Sequence, residues 1–161
     1  IMGLDMTLSR KHYVQNWEHN EDKYAVSVKL NGKPLPTMGK VTYVEEEAIY
    51  WRKANAIHRW FVDKLSDGVD DCLPIQVSIE GLTDLRDKCY EVLNWGHDEE
   101  KASEILPTSS GFFFGGTEYD EYYFEQIKET ADNLDRLLKE HDKLKRYNNG
   151  HSVEYWYRAS W

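Results

Sequence analysis

Leu4-Asp5-Met6-Thr7-Leu8-Ser9 alternates apolar and polar residues one by one, the period of a strand with one face in a core and the other in water. The same alternation returns in Tyr24, Val26, Val28 and Leu30 against Ala25, Ser27 and Lys29. It appears again near the end, in Val153, Tyr155 and Tyr157 against Glu154, Trp156 and Arg158. Asn31-Gly32 is a turn signal, Pro34 and Pro36 extend a loop to Gly39, and Lys40 to Val44 reads as a further strand, so an antiparallel meander is expected. Cys72 to Val77 adds a short buried strand.

Helical spacing separates these strands. Glu45-Glu46-Glu47 is expected to open a helix, its charges suiting the positive end of the dipole, with Ile49, Ile57, Trp60, Phe61 and Leu65 following at 3- and 4-residue intervals to an end near Ser66-Asp67-Gly68. Ser78 is placed to cap a second helix with Leu82, Leu85, Cys89, Val92 and Leu93 on one face, closed by the polar run Gly96 to Ser103. Thr117, with Asp120 three residues on, resembles a capping box and opens a long helix with Tyr123, Ile127, Ala131, Leu134, Leu138 and His141 down one side. Asn148-Asn149-Gly150 precedes the last strand. The expected fold is α+β: a single domain over residues 2–161, with an antiparallel or mixed sheet of about five strands carrying three helices. Ile1 ahead of Met2-Gly3 reads as the remnant of a cleaved tag.

Composition narrows the class. In 161 residues, 40% are hydrophobic and 14% aromatic, which excludes a disordered tail, a collagen-like chain and a coiled-coil rod. Lys+Arg 20 against Asp+Glu 29 leaves a net charge of −9, so no general attraction to a polyphosphate backbone is expected and direct nucleic-acid binding is set aside. Cys72 and Cys89 form no CxxC pair and suit a reducing cytoplasm as unbridged thiols. Uncharged apolar runs such as Gly111 to Gly116 fall far short of the ~18 residues of a membrane helix. The six histidines form no HxxxH, HExxH or Cys/His spacing and no GxSxG elbow occurs, so neither a metal nor another cofactor is expected.

Two segments carry unusual polar residues. In Tyr50 to Phe61 the basic and amide side chains Arg52, Lys53, Asn55 and Arg59 accompany Trp51 and His58. On a helical wheel Lys53 falls inside the apolar arc, where it either snorkels or reaches an acidic partner or a ligand. His58 falls on the boundary, as a hydrogen-bonded structural histidine or as a ligand contact or general base. The second segment, Pro107 to Glu121, brings Ser109, Ser110 and Gly111 to a helix start at Thr117, Glu118 and Tyr119. Glycines and hydroxyls ahead of a helix offer backbone N–H groups to an anion, but the spacing matches no phosphate-loop motif and Glu118, Asp120 and Glu121 repel one.

Tyr50 to Val62 (YWRKANAIHRWFV) and Leu106 to Glu121 (LPTSSGFFFGGTEYDE), with the Met2 to Met6 start and the Tyr155 to Trp161 ending, resemble a family of small proteins encoded by tailed bacteriophages and prophages. The resemblance implies an accessory protein acting on host defence or metabolism in the bacterial cytoplasm, and it carries no catalytic residue over. The basic stretch Lys139 to Arg146 departs from it.

Three function classes remain open. A counter-defence sponge would hold a small phosphorylated nucleotide without catalysis, stacking it on Trp51, Tyr119 and Trp156 and placing phosphate on Arg52, Lys53 and the Ser109 to Gly111 backbone. This is the leading expectation, with Trp51, Arg52, Lys53, Asn55, His58, Ser109, Ser110, Gly111, Thr117, Glu118 and Tyr119 as ligand-binding residues. An acidic decoy would present Glu45 to Glu47, Asp98 to Glu100 and Glu118 to Glu125 to a host nucleic-acid-binding or defence protein. A nucleotide-directed hydrolase would need a proton-transfer pair such as His58 with Glu118. Homo-oligomerisation is left open.

Overall fold

The opening alternation becomes β1 (Asp5–Tyr13), with Met6 and Leu8 fully buried and Asp5, Thr7 and Ser9 partly so. The structure, a computed structural model, describes residues 3–14, 18–19, 26–147 and 152–161. Asn31-Gly32 makes the expected turn, both residues at positive φ (51° and 74°), but the strands it joins are two residues each, β2 (Lys29–Leu30) and β3 (Lys33–Pro34). Tyr24 and Ala25 lie outside the described residues, as do Ile1 and Asn148 to Gly150. There follow β4 (Tyr43–Arg52), α1 (Asn55–Leu65), β5 (Ile75–Val77), α2 (Ile79–Asn94), α3 (Glu99–Ile105), α4 (Glu121–Tyr147) and β6 (Val153–Ser160).

The main sheet runs β4-β1-β6-β5 and is antiparallel throughout. The fold is therefore α+β, with a four-stranded sheet, a separate hairpin and four helices among the described residues. Across the sheet Met6 stands opposite Trp51 and Ala159, and Leu8 opposite Ile49 and Tyr157. The side chains of this face meet the helices: Phe61 of α1 stacks flat on Tyr157 at 3.8 Å, and Trp51 donates its indole N–H to Thr130 Oγ1 of α4 at 2.9 Å. No helix among the described residues is long and apolar enough to cross a membrane.

Four local expectations are corrected. Glu45-Glu46-Glu47 opens no helix; it lies in β4, because pairing with nine residues of β1 outweighs the local helix preference of Glu and Ala. β4 is an edge strand, and exposed carboxylates on an edge deter unwanted strand pairing. The long helix is capped by Asp120, whose Oδ1 accepts from Tyr123 N at 3.0 Å, and not by Thr117. The polar run after α2 holds a further helix, α3, capped by Asp98 through Lys101 N. Strand structure begins at Tyr43 and at Ile75, later than Lys40 and Cys72.

Candidate functional site

β4 turns into α1 with almost no connection. Lys53 makes the corner at φ 54°, in the left-handed region costly for a residue with a Cβ. Its N–H donates to Leu4 O at 2.7 Å, extending the β1 pairing one residue past the strand. Two glycines leave room for its stem: a Cβ on Gly115 would lie 3.4 Å from Lys53 Cβ, and one on Gly3 would lie 2.8 Å from Arg52 Nη2 and 3.4 Å from Lys53 Cε.

Asn55 opens α1 and is 4% exposed. Its Nδ2 donates to the carbonyls of Phe114 and Gly116, each at 2.9 Å, while its Oδ1 accepts from Ser109 N at 3.0 Å. Arg59 adds a bond to Thr108 O, Thr108 Oγ1 donates to Thr117 O, and Leu4 N donates to Phe113 O. The two unusual segments thus meet directly, and their polar residues bind one another. Phe114 N closes a turn on Gly111 O, where a Cβ on Gly111 would strike the Phe114 ring at 2.6 Å. Phe112 stands at the tip, 94% exposed.

His58 is 2% exposed, with Nδ1 2.6 Å from Tyr157 Oη and Nε2 2.9 Å from Asp70 Oδ2. The rings of Phe114 and Trp161 pack edge-on against it. Both ring nitrogens are engaged, the carboxylate that meets it is Asp70, and burial pushes the Tyr157 hydroxyl well above its ordinary pKa. Trp51 is likewise core. Arg52 is exposed but paired, Nη1 to Asp5 Oδ1 at 2.9 Å, and Tyr50 donates its hydroxyl to the same oxygen. The Tyr50 hydrogen bond, with Arg52 alongside, holds the Asp5 carboxyl below the usual carboxylate range.

A groove opens between the end of β4 and the first turns of α4. Its larger hollow, about 260 Å³, is lined by Tyr50, Trp51, Arg52, Tyr122, Glu125, Gln126, Glu129 and Asn133. A smaller one, about 90 Å³, takes in Lys53, Asn55, Thr108, Gly116, Glu118, Asp120, Tyr122 and Gln126. Tyr122 and Gln126 divide them, both donating to Arg52 O, at 3.4 and 3.2 Å. Of the sequence candidates, Trp51, Arg52, Lys53, Asn55 and Glu118 reach this groove. Ser109, Ser110, Gly111, Thr117 and Tyr119 belong to the pinned loop, where the Tyr119 hydroxyl accepts from Thr108 N.

Comparison with protein-family models, curated proteins and solved structures gives no match. The groove is therefore read from its own chemistry. Glu118, Asp120, Glu125 and Glu129 line it against two cations, of which Arg52 is held by Asp5. Among the described residues no three His, Cys, Asp or Glu side chains are placed to hold a metal ion. The acidic-decoy reading had named the run Glu118 to Glu125, but sequence reading missed Tyr50, Tyr122, Gln126 and Glu129 as groove residues; the recurrence of Glu121, Glu125 and Glu129 every four residues was the available signal, an uncompensated acidic stripe on a helix.

A second polar cluster closes the opposite end of the core. Arg10, 7% exposed, bonds Glu46 at 2.7 Å and Glu140 at 2.9 Å, His12 lies 2.6 Å from Glu46, and Tyr155 Oη lies 3.0 Å from His141 Nδ1. Its members satisfy one another, as buried charge requires.

Proposed function

We propose that the chain is a bacteriophage accessory protein that works in the host cytoplasm by binding, without catalysis, and that its acidic groove engages a basic surface of a host nucleic-acid-binding protein. The observation that carries this reading is the imbalance of the groove, where four carboxylates face one cation without an ion-pair partner among the described residues, Lys53. A phosphate placed there meets repulsion from Glu118 and Asp120, whereas a lysine- or arginine-bearing surface meets complementary charge and the half-exposed rings of Tyr50 and Tyr122. The net charge of −9 steers such a partner from a distance. Each hollow is also smaller than the ~300–1,000 Å³ of sites that enclose a whole small molecule, which favours side chains as occupants. His58, the base that the hydrolase alternative would need to pair with Glu118, instead meets Asp70 and Tyr157, which supports binding over that chemistry.

The test is displacement of labelled duplex DNA from a basic bacterial DNA-binding protein by this chain at several salt concentrations. Salt-sensitive displacement is expected; none at low salt overturns the reading. A small phosphorylated nucleotide remains the second reading, favoured by Lys53 standing in the smaller hollow at the N-terminus of α4. Calorimetric heat with cyclic or linear nucleotides, lost in Lys53→Met, would establish it instead.

A further inference from the structure

We infer that the larger hollow receives an arginine side chain from an extended segment of that basic partner, and that the segment adds to the open edge of β4 at Tyr50; this rests on the proposed reading of the groove. The backbone supports the first half. Lys53 N donates to Leu4 O, so by the alternation of an antiparallel pair Trp51 and Ile49 turn their backbone groups toward β1, while Arg52 and Tyr50 turn theirs outward; Ala48 is the extra residue where the β1–β4 register shifts. Side chains of α4 meet the two flanking carbonyls: Gln126 and Tyr122 donate to Arg52 O, and Arg136 donates to Ala48 O at 3.1 Å. Between them the N–H and C=O of Tyr50 have no partner among the described residues. An outward donor and acceptor on one edge residue is the element that strand addition uses.

The side chains support the second half. Glu125 and Glu129 lie four residues apart on α4 and make no ion pair or hydrogen bond with the described residues, although their neighbours do: Lys128 with Asp132 at 3.0 Å, and Arg136 with Glu140 at 3.4 Å. Like charges at this spacing repel, and both carboxylates line the hollow beside Tyr50. The native cation there, Arg52, is held by Asp5. A guanidinium entering the hollow pairs with two carboxylates and lies against the Tyr50 or Tyr122 ring, an arrangement its planar fork suits better than an ammonium does.

The experiment titrates the labelled full chain with an end-blocked extended peptide bearing one central arginine, and with its citrulline counterpart, followed by nuclear magnetic resonance. At least tenfold tighter binding of the arginine peptide is expected, with slowed exchange of the Tyr50 amide. The double variant Glu125→Gln/Glu129→Gln, altered only at exposed positions, should erase the preference, and Glu118→Gln should keep it. Equal binding of the two peptides, no binding of the arginine peptide at millimolar concentration, or a preference that survives the double variant overturns the inference. Undiminished displacement of DNA by the double variant would remove this hollow as the docking point and leave the acidic-partner reading standing.

Discussion

His58 Nδ1 stands 2.6 Å from the hydroxyl oxygen of Tyr157, and both residues are buried. With Asp70 on the other ring nitrogen, the imidazole ties α1 to β6 and to the loop before β5. Replacing it leaves a void and strands a buried phenol, so His58→Ala should cost about 2–4 kcal/mol in chemical denaturation. A variant of unchanged stability that had lost binding would return His58 to the ligand.

Asn55→Ala should unpin the loop from Ser109 to Gly116. Three hydrogen bonds are lost at a buried position, each worth about 0.5–1.5 kcal/mol net. Limited proteolysis should then cut near Phe112, and a loop as resistant as in the native chain would show that it is held elsewhere.

Acid should unfold the protein in two stages. Burial, reinforced by Lys145, holds the His141 imidazole below its ordinary pKa of 6.5, so as pH falls through that value the unfolded chain takes a proton that the folded chain refuses. Stability therefore declines downward from pH 6.5 to the lower folded value, by at most about 1.4 kcal/mol per pH unit. Glu46, kept below 4.5 chiefly by its hydrogen bond from Arg10, contributes stability that is present above pH 4.5 and lost as pH falls through its folded value. His141→Gln should abolish the first stage only; a native profile flat down to pH 4.5 contradicts this assignment.

Lys53→Gly should raise the thermal midpoint, since relief of a left-handed lysine, worth about 1–2 kcal/mol, exceeds the roughly 0.5–1 kcal/mol entropic cost of glycine. Gly115→Ala should lower it, because that glycine holds φ 83° against the Lys53 stem.

Cys72, partly exposed in the loop before β5, should react with a thiol reagent in the native state. Cys89, fully buried and with its thiol pKa pushed up by desolvation, should react only on unfolding. Equal rates would mean that α2 opens locally.

What was legible in the sequence followed period and chemistry that act locally. The alternations around Met6 and Tyr155, the stripe from Tyr123 to His141 and the Ser78 cap all appear where spacing puts them. Glu45 to Arg52 was misread because only pairing with a distant strand makes it β, and a wheel begun at Ile49 then misplaced Lys53. Trp51 and Asn55 resembled ligand residues for a physical reason: aromatic and amide groups that lock a core onto a loop are the same groups that lock a protein onto a ligand. Which of the two a side chain does depends on partners such as Thr130 and Phe114, 79 and 59 residues away.

The corner at Lys53 leaves no slack in the chain. Arg52 O is held by α4 on one side of it, and Asn55 grips the Phe114 loop on the other, a span of three residues with no flexible linker. Force applied along β4 should therefore pass into α1 and the loop, carrying Phe112 with the strand.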